Sequence, residues 1–366
     1  MRIALRELHR RPGRFVAAAA ILTLIAILLM FLGGLADGLN KGNTGALRAQ
    51  RADLIVFSAT AKDSLVRSRI DPGVRRSVAT APGVRRVGGL GSLQVGARVP
   101  GHGPRDLVPV VLFGYELAPR GLPATAPARG EAFADEVLRS EGVHVGTVLR
   151  LGPQRSPITV VGFVSVTRYA GQAALWGSLD TWRATLDANR PGSRVGPGVS
   201  QALVVRGTGG GAAIDRATAG ATRSLTVAQA IDALPGVSQQ QTVFNQIIGV
   251  TVVVAIVVVA LFFALITVER AALYGVLKAI GAGSGTLFAG VMLQALAVTL
   301  IAGIIGAAAA LALDAAIPPG GIPFATSSGR LLASVAFLLV AAVVGCAFSL
   351  RRVLRIDPAT AIGGGQ

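Results

Sequence analysis

The stretch TVFNQIIGVTVVVAIVVVALFFALITV, residues 242–268, followed by ERAALYGVLKAIGAGSG, residues 269–285, decides how this chain is read. The first is uncharged and longer than the roughly 20 apolar residues a helix needs to cross a bilayer. The second is short, punctuated by glycine, and carries Glu269, Arg270 and Lys278. Beyond it the chain is uncharged again from Thr286 to Leu313, and two further uncharged runs cover Val16–Leu35 and Leu331–Leu350. Of the 366 residues 52% are hydrophobic and only 14% charged, well under the quarter typical of soluble domains. Four transmembrane helices are predicted. The first run exceeds a signal-peptide core and no small-residue cleavage site follows it, so it reads as an uncleaved anchor.

Arginine sets the expected orientation. Arg2, Arg6, Arg10, Arg11 and Arg14 precede the first span, Arg270 and Lys278 lie between the second and third, and Arg351, Arg352 and Arg355 follow the last. Between the third and fourth, Asp314 to Arg330, the only basic residue is Arg330. Both termini and the 269–285 segment are therefore expected in the cytoplasm, with residues 37–241 outside. The predicted order is a cytoplasmic segment (1–15), a span (16–36), an extracytoplasmic domain (37–241), a span (242–268), a cytoplasmic loop (269–285), a span (286–313), an outer loop (314–330), a span (331–350) and a cytoplasmic tail (351–366). The outer segment holds 24 basic and 14 acidic residues. With no dense basic cluster, this reads as a solvated, arginine-rich surface rather than one with affinity for anionic lipid or envelope polymers, and no nucleic acid is expected as a partner. The only cysteine, Cys346, falls in the last span, so the outer domain must fold without a disulfide.

That domain alternates strand-like and helix-like pieces. DLIVFS (53–58) reads as a strand, and Asp71 followed by Pro72 opens a helix that ends at a Pro-Gly pair. VRRVGGLGSLQVGARV and LVPVVLFGYEL form one expected strand pair, EGVHVGTVLRLG and ITVVGFVSVT a second, and QALVVRG is another strand. GGGAAIDRATAGATRSL reads as a loop and helix that TVAQAIDALPGV continues. The expectation is an α+β domain of two lobes, with Trp176 and Trp182 packed between them. His9, His102 and His144 lack metal-ligand spacing, and no nucleophile elbow or paired-carboxylate segment appears. No catalytic or metal site is expected.

Read as a helix, the 269–285 segment sets Leu273, Val276, Leu277 and Ile280 on one apolar stripe. Ala271, Gly275, Lys278 and Ala282 fall opposite, GAGSG ends the helix, and Ser284 is placed to cap the next span. Such a stripe fits a docked helix or one lying at the membrane interface, and the pattern alone does not separate them. Within the spans Gln294 and a few threonines are expected to make helix-packing hydrogen bonds. AGIIGAA (302–308) fits close packing, at a dimer seam or within the chain.

One span, a large outer domain, three more spans and R-x-x-x-Y-G-V-L-K-A-I-G-A at 270–282 together resemble the MacB/FtsX-type ABC transporter permeases, with LYGVLKAIG closest to the DevC-like branch. FADEVLRSEGVHVGTVLRLG with ITVVGFV is similar to the family's periplasmic core domain, APGVRRV to its turn, and RRVLRIDPATAI to its closing segment. Leu273 stands where many members carry an acidic residue. The resemblance implies a coupling helix formed by Arg270, Leu273, Tyr274, Gly275, Leu277, Lys278, Ile280 and Gly281, docked on a cytoplasmic ABC ATPase. It further implies a permease homodimer in the cytoplasmic (inner) membrane and an export or mechanotransmission role, with an extracytoplasmic adaptor or hydrolase as a further partner. No phosphate-binding G-x-x-x-x-G-K-[ST] loop occurs in the chain. No cofactor is therefore expected in it, ATP and Mg belonging to the partner ATPase. Two rival readings are an FtsX-like regulator of cell-wall hydrolases and a nutrient-importer permease.

Overall fold

The structure is a computed structural model, and it describes residues 12–103, 105–193, 195–269, 283–318 and 321–353. Contacts divide the chain into a helical unit, drawn from residues 1–38, 242–317 and 324–366, and a sheet domain made of residues 39–241 with 318–323.

Among the described residues, four helices are long and apolar enough to cross a membrane. They are α1 (Pro12–Arg48), α6 (Val237–Glu269), α7 (Ser284–Ala316) and α8 (Ser328–Val353). Each extends past its uncharged run, α1 by more than ten residues. The start of α7 differs from expectation: Gly283 is its N-cap and Ser284 its first helical residue, with no side-chain cap.

In the helical unit small residues let the helices approach, as packing in lipid requires. A Cβ on Gly306 would stand 2.9 Å from the Ala26 Cβ of α1, and one on Gly345 would stand 2.7 Å from the Ile256 carbonyl of α6. Gly303 faces Val335 of α8. The AGIIGAA segment thus packs within the chain, against α1 and α8. Leu22, Phe263, Ala295, Ala342 and Cys346, contributed by all four helices, share one buried cluster. Thr251 donates to the Ile247 carbonyl of its own helix, and the buried Thr299 hydroxyl has no partner.

The sheet domain holds nine strands: β1 (Leu54–Ser58), β2 (Val84–Arg98), β3 (Val108–Tyr115), β4 (Glu131–Asp135), β5 (Val148–Leu151), β6 (Ser156–Val164), β7 (Ala173–Ser178), β8 (Ala202–Gly207) and β9 (Thr222–Leu225). Its short helices are α2 (Pro72–Ala79), α3 (Leu179–Asn189), α4 (Gly211–Ala217) and α5 (Val227–Asp232). The two expected strand pairs are present as antiparallel β2–β3 and β5–β6. Pairing runs β3-β7-β4-β6-β5-β2 and returns from β2 to β3, which closes a six-stranded barrel. The fifteen-residue β2 pairs by its first half with β8, and β8-β1-β9 extend from it as an arm. The two expected lobes are therefore two parts of one sheet sharing β2.

Alternation along the strands fills the barrel, as Leu149 and Leu151 are buried while Val148 and Arg150 face out. Helix α3 lies against this core, its Ser178 cap accepting from the Thr181 amide. Its Trp182 is fully buried over the cross-strand glycine pair Gly91 and Gly114. A Cβ on Gly91 would fall 2.4 Å from the indole ring, so only glycine leaves room. Trp176 belongs to a different core, which joins strands of arm and barrel, stacked on Phe113 at 4.6 Å. Only Trp176 therefore packs between the two parts. Asp71 does precede α2 with Pro72 at its first position, but makes no side-chain cap. The TRSL sequence is the edge strand β9, not helix, and α5 starts afresh behind a capping box of Thr226 and Gln229.

Candidate functional site

The coupling helix expected from the resemblance falls in the connection between α6 and α7. Helix α6 ends at Glu269 and α7 begins at Ser284. Arg270, Leu273, Tyr274, Gly275, Leu277, Lys278, Ile280 and Gly281 lie outside the described residues.

At the other end of these helices the structure assembles a polar cluster that the sequence did not disclose. Arg330, on α8, donates to Asp37 of α1 from Nη2 at 2.6 Å and from Nε at 3.2 Å. Ser327 donates to the second Asp37 oxygen at 3.1 Å, and Thr326 donates to Asp314 of α7 at 2.6 Å. The Ala325 amide donates to the Gly34 carbonyl, and Phe324 lies across Gly34, stacked 5.7 Å from Phe31. The chain from α7 to α8 is thus fastened to α1 by charge, backbone and ring contacts together. Arg330 stands out in sequence as the lone basic residue of its loop. Asp37, 293 positions away, carries no signal of its own.

A second arrangement lies in the sheet domain, on the stretch KGNTGAL of α1. Residues 166–171, here called the strap, cross this helix and bond to its interior backbone. The Ala46 amide donates to the Arg168 carbonyl at 3.0 Å, the Ala170 amide to the Asn43 carbonyl at 3.0 Å, and the Gly171 amide to the Gly42 carbonyl at 3.2 Å. A regular helix would join Ala46 N–H to the Gly42 carbonyl, so the strap engages both halves of that bond. Insertion into the ladder in this way is a recognised origin of helix bends. Gly45 permits it: a Cβ there would lie 2.7 Å from the Val166 carbonyl and 3.0 Å from that of Arg168. The strap itself is held in costly conformations, with φ of 56° at Val166 and 49° at Ala170. Gly42 and Gly45 inside a helical run are the sequence trace of this feature.

Elsewhere the polar residues serve structure. Burial pushes the Glu116 carboxyl up, but hydrogen bonds from Arg75 and the Gly89 amide, with the charges of Arg75 and Arg183, outweigh it and hold the pKa below the usual value. Arg75 meets Glu116 at 2.6 Å and ties α2 to the end of β3. Among the described residues no group of histidine, cysteine and acidic side chains could hold a metal ion. His102 pairs with Asp106, and His144 is exposed.

Among the described residues, four helices apolar and long enough to cross a membrane, with a sheet domain inserted after the first, define the architecture of an integral membrane protein. Residues 245–358 match the family described as FtsX-like permease C-terminal, a match that includes the whole connection between α6 and α7. The chain is 27% identical over 373 residues to an uncharacterized ABC transporter permease of Mycobacterium tuberculosis, covering 99% of each. It is 21% identical over 370 residues to the HrtB permease protein of Staphylococcus epidermidis, covering 100% of each. Residues 245–358 thus match an FtsX-like permease domain, and the chain is similar along its whole length to ABC transporter permeases. Two solved structures align with it. The periplasmic region of MacB from Actinobacillus actinomycetemcomitans has 9% identity and a TM-score of 0.33, over 48% of this chain and 89% of that one. The extracellular domain of YknZ from Gram-positive bacteria has 10% identity and the same TM-score, over 47% and 99%.

Proposed function

We propose that the chain is the membrane subunit of an ABC complex in which a separate cytoplasmic ATPase, binding ATP and Mg, moves the sheet domain on the opposite side of the membrane. The observation that carries this reading is the family match across residues 270–281, where an apolar stripe with a cationic flank interrupts two uncharged spans. The arginine asymmetry supports a reading with that segment and both termini on the cytoplasmic side of a bacterial inner membrane. Export or mechanotransmission suits spans whose interiors carry no charge, since routes for polar substrates usually need some. A permease homodimer fits the helical unit: α6 is its least covered span, and leaves Val250, Val253, Val257, Leu261 and Leu265 exposed. An extracytoplasmic adaptor or a cell-wall hydrolase is the further partner. HrtB, whose name places it provisionally in a hemin transport system, is one example of the cargo a relative is assigned.

The test is made on the segment itself. Leu277→Asp removes about 1.5–3 kcal/mol of burial and adds a charge, so docking to the ATPase weakens tenfold or more. Gly275→Pro breaks the helix while leaving the stripe's chemistry in place. Both variants insert normally yet fail to co-purify with the ATPase or to stimulate its turnover, whereas Lys278→Ala is mild. Intact binding and coupled turnover in both would leave only a helix lying at the membrane interface.

A further inference from the structure

The sheet domain contains a cleft of about 580 Å³, within the range of small-molecule sites. It opens beside the strap. Asn43 of α1, Gln94 of β2, Tyr169 and Ala170 of the strap, and Leu234 and Gln240 around the start of α6 are among its walls. None of the lining side chains is charged.

The polar wall is poised but incompletely used. Tyr169 is only 6% exposed, packs edge-on against Phe113, and its hydroxyl has no hydrogen bond among the described residues. Burial pushes its pKa up to about 12, so it stays a neutral phenol able to donate. Asn43 donates to the Gln240 oxygen at 2.9 Å, leaving the Asn43 oxygen as an acceptor and the Gln240 amide nitrogen as a donor. Carboxamides and a phenol, each able to give and receive, match hydroxyl groups, which do the same. Leu234, with Val66 and Val237 nearby, supplies an apolar wall for hydrocarbon. An anionic or zwitterionic head would enter without a counter-charge, at a desolvation cost the site does not offset.

We propose that this cleft binds an uncharged amphiphile with a hydroxyl-bearing head, of the alkyl glycoside kind, and that the bound molecule holds the strap against α1. The second half follows from shared residues. Asn43 and Ala170 line the cleft and also make the strap's hydrogen bond to the helix, so a ligand spanning them bridges the joint. Neither half depends on the ATPase reading, since binding is a property of this chain alone.

The experiment uses the purified full chain in lipid nanodiscs without any ATPase. Octyl β-glucoside is titrated below its critical micelle concentration, and amide hydrogen exchange is followed in peptides covering 42–50 and 166–173. The expected result is saturable slowing in both, while a peptide within β5 and β6 is unchanged. Octyl phosphate, of equal chain length but charged, gives no saturable slowing. Tyr169→Phe, which removes only the hydroxyl, weakens the apparent affinity about fivefold, as loss of one neutral hydrogen bond does. Gln240→Leu does the same from the opposite wall, and serves alone if Tyr169→Phe misfolds. Absence of saturable slowing, equal slowing by octyl phosphate, or unchanged affinity in the variants overturns the proposal.

Discussion

Two glycines three residues apart in one helix should respond to alanine with opposite signs. In a helix interior alanine is favoured over glycine by about 1 kcal/mol, and nothing in the backbone at Gly42 or Gly45 opposes the change. Around Gly42 a new Cβ meets only the Arg168 guanidinium carbon at 4.0 Å, an ordinary contact at the end of a flexible side chain. Gly42→Ala should thus be neutral or stabilising by up to about 1 kcal/mol. At Gly45 the same methyl collides with three backbone atoms of the strap, the closest at 2.7 Å, and no rotamer change relieves it. Either the core overpacks at about 1–3 kcal/mol, or the strap lifts and loses three neutral hydrogen bonds worth about 0.5–1.5 kcal/mol each. Both routes exceed the propensity gain, so Gly45→Ala should destabilise the joint by about 1–2 kcal/mol. Hydrogen exchange in a peptide covering 166–173 reads this directly, accelerating several-fold in Gly45→Ala and holding in Gly42→Ala. Equal protection in the two variants would refute the strap's role in this helix.

Arg330→Ala should lower the stability of the chain in detergent by about 1–2 kcal/mol, a figure reduced because the arginine is partly exposed. Adding Asp37→Ala should restore part of the loss, because it removes the carboxylate left uncompensated, and a double-mutant cycle on thermal unfolding measures the coupling. The depressed Glu116 pKa contributes stability that is present above the unfolded value of about 4.3 and is lost as pH falls through the lower folded value. Glu116→Gln should therefore flatten the acid limb of a stability–pH curve, and an unchanged limb would remove the Arg75 pairing as its source.

Much of the architecture was legible without coordinates because it rests on local physics. Uninterrupted apolar runs such as 242–268 have one stable fate in a bilayer, and alternation in VLRLG or the Asp71-Pro72 start declares an element within a few residues. The 269–285 interval stands out for the same reason, as a short charged segment between two uncharged runs. What the sequence withheld were relations between distant residues. No periodicity announces that Asp37 meets Arg330, that β2 serves both barrel and arm, or that Gly91 and Gly114 are empty because Trp182 fills the space. The polar sequence ATAGATRSL (217–225) hides a strand in the same way: TRSL has no strong strand propensity, and becomes β9 because β1 offers an unpaired edge. The strap is the clearest case. Gly42 and Gly45 mark a helix that something approaches, but only the folded chain brings residues 166–171 across more than a hundred positions to that backbone. Composition and spacing determine which segments are helix, strand or span. Which backbone groups lose their ordinary partner to another segment is decided by tertiary closure, where steric room and hydrogen-bond satisfaction are settled together.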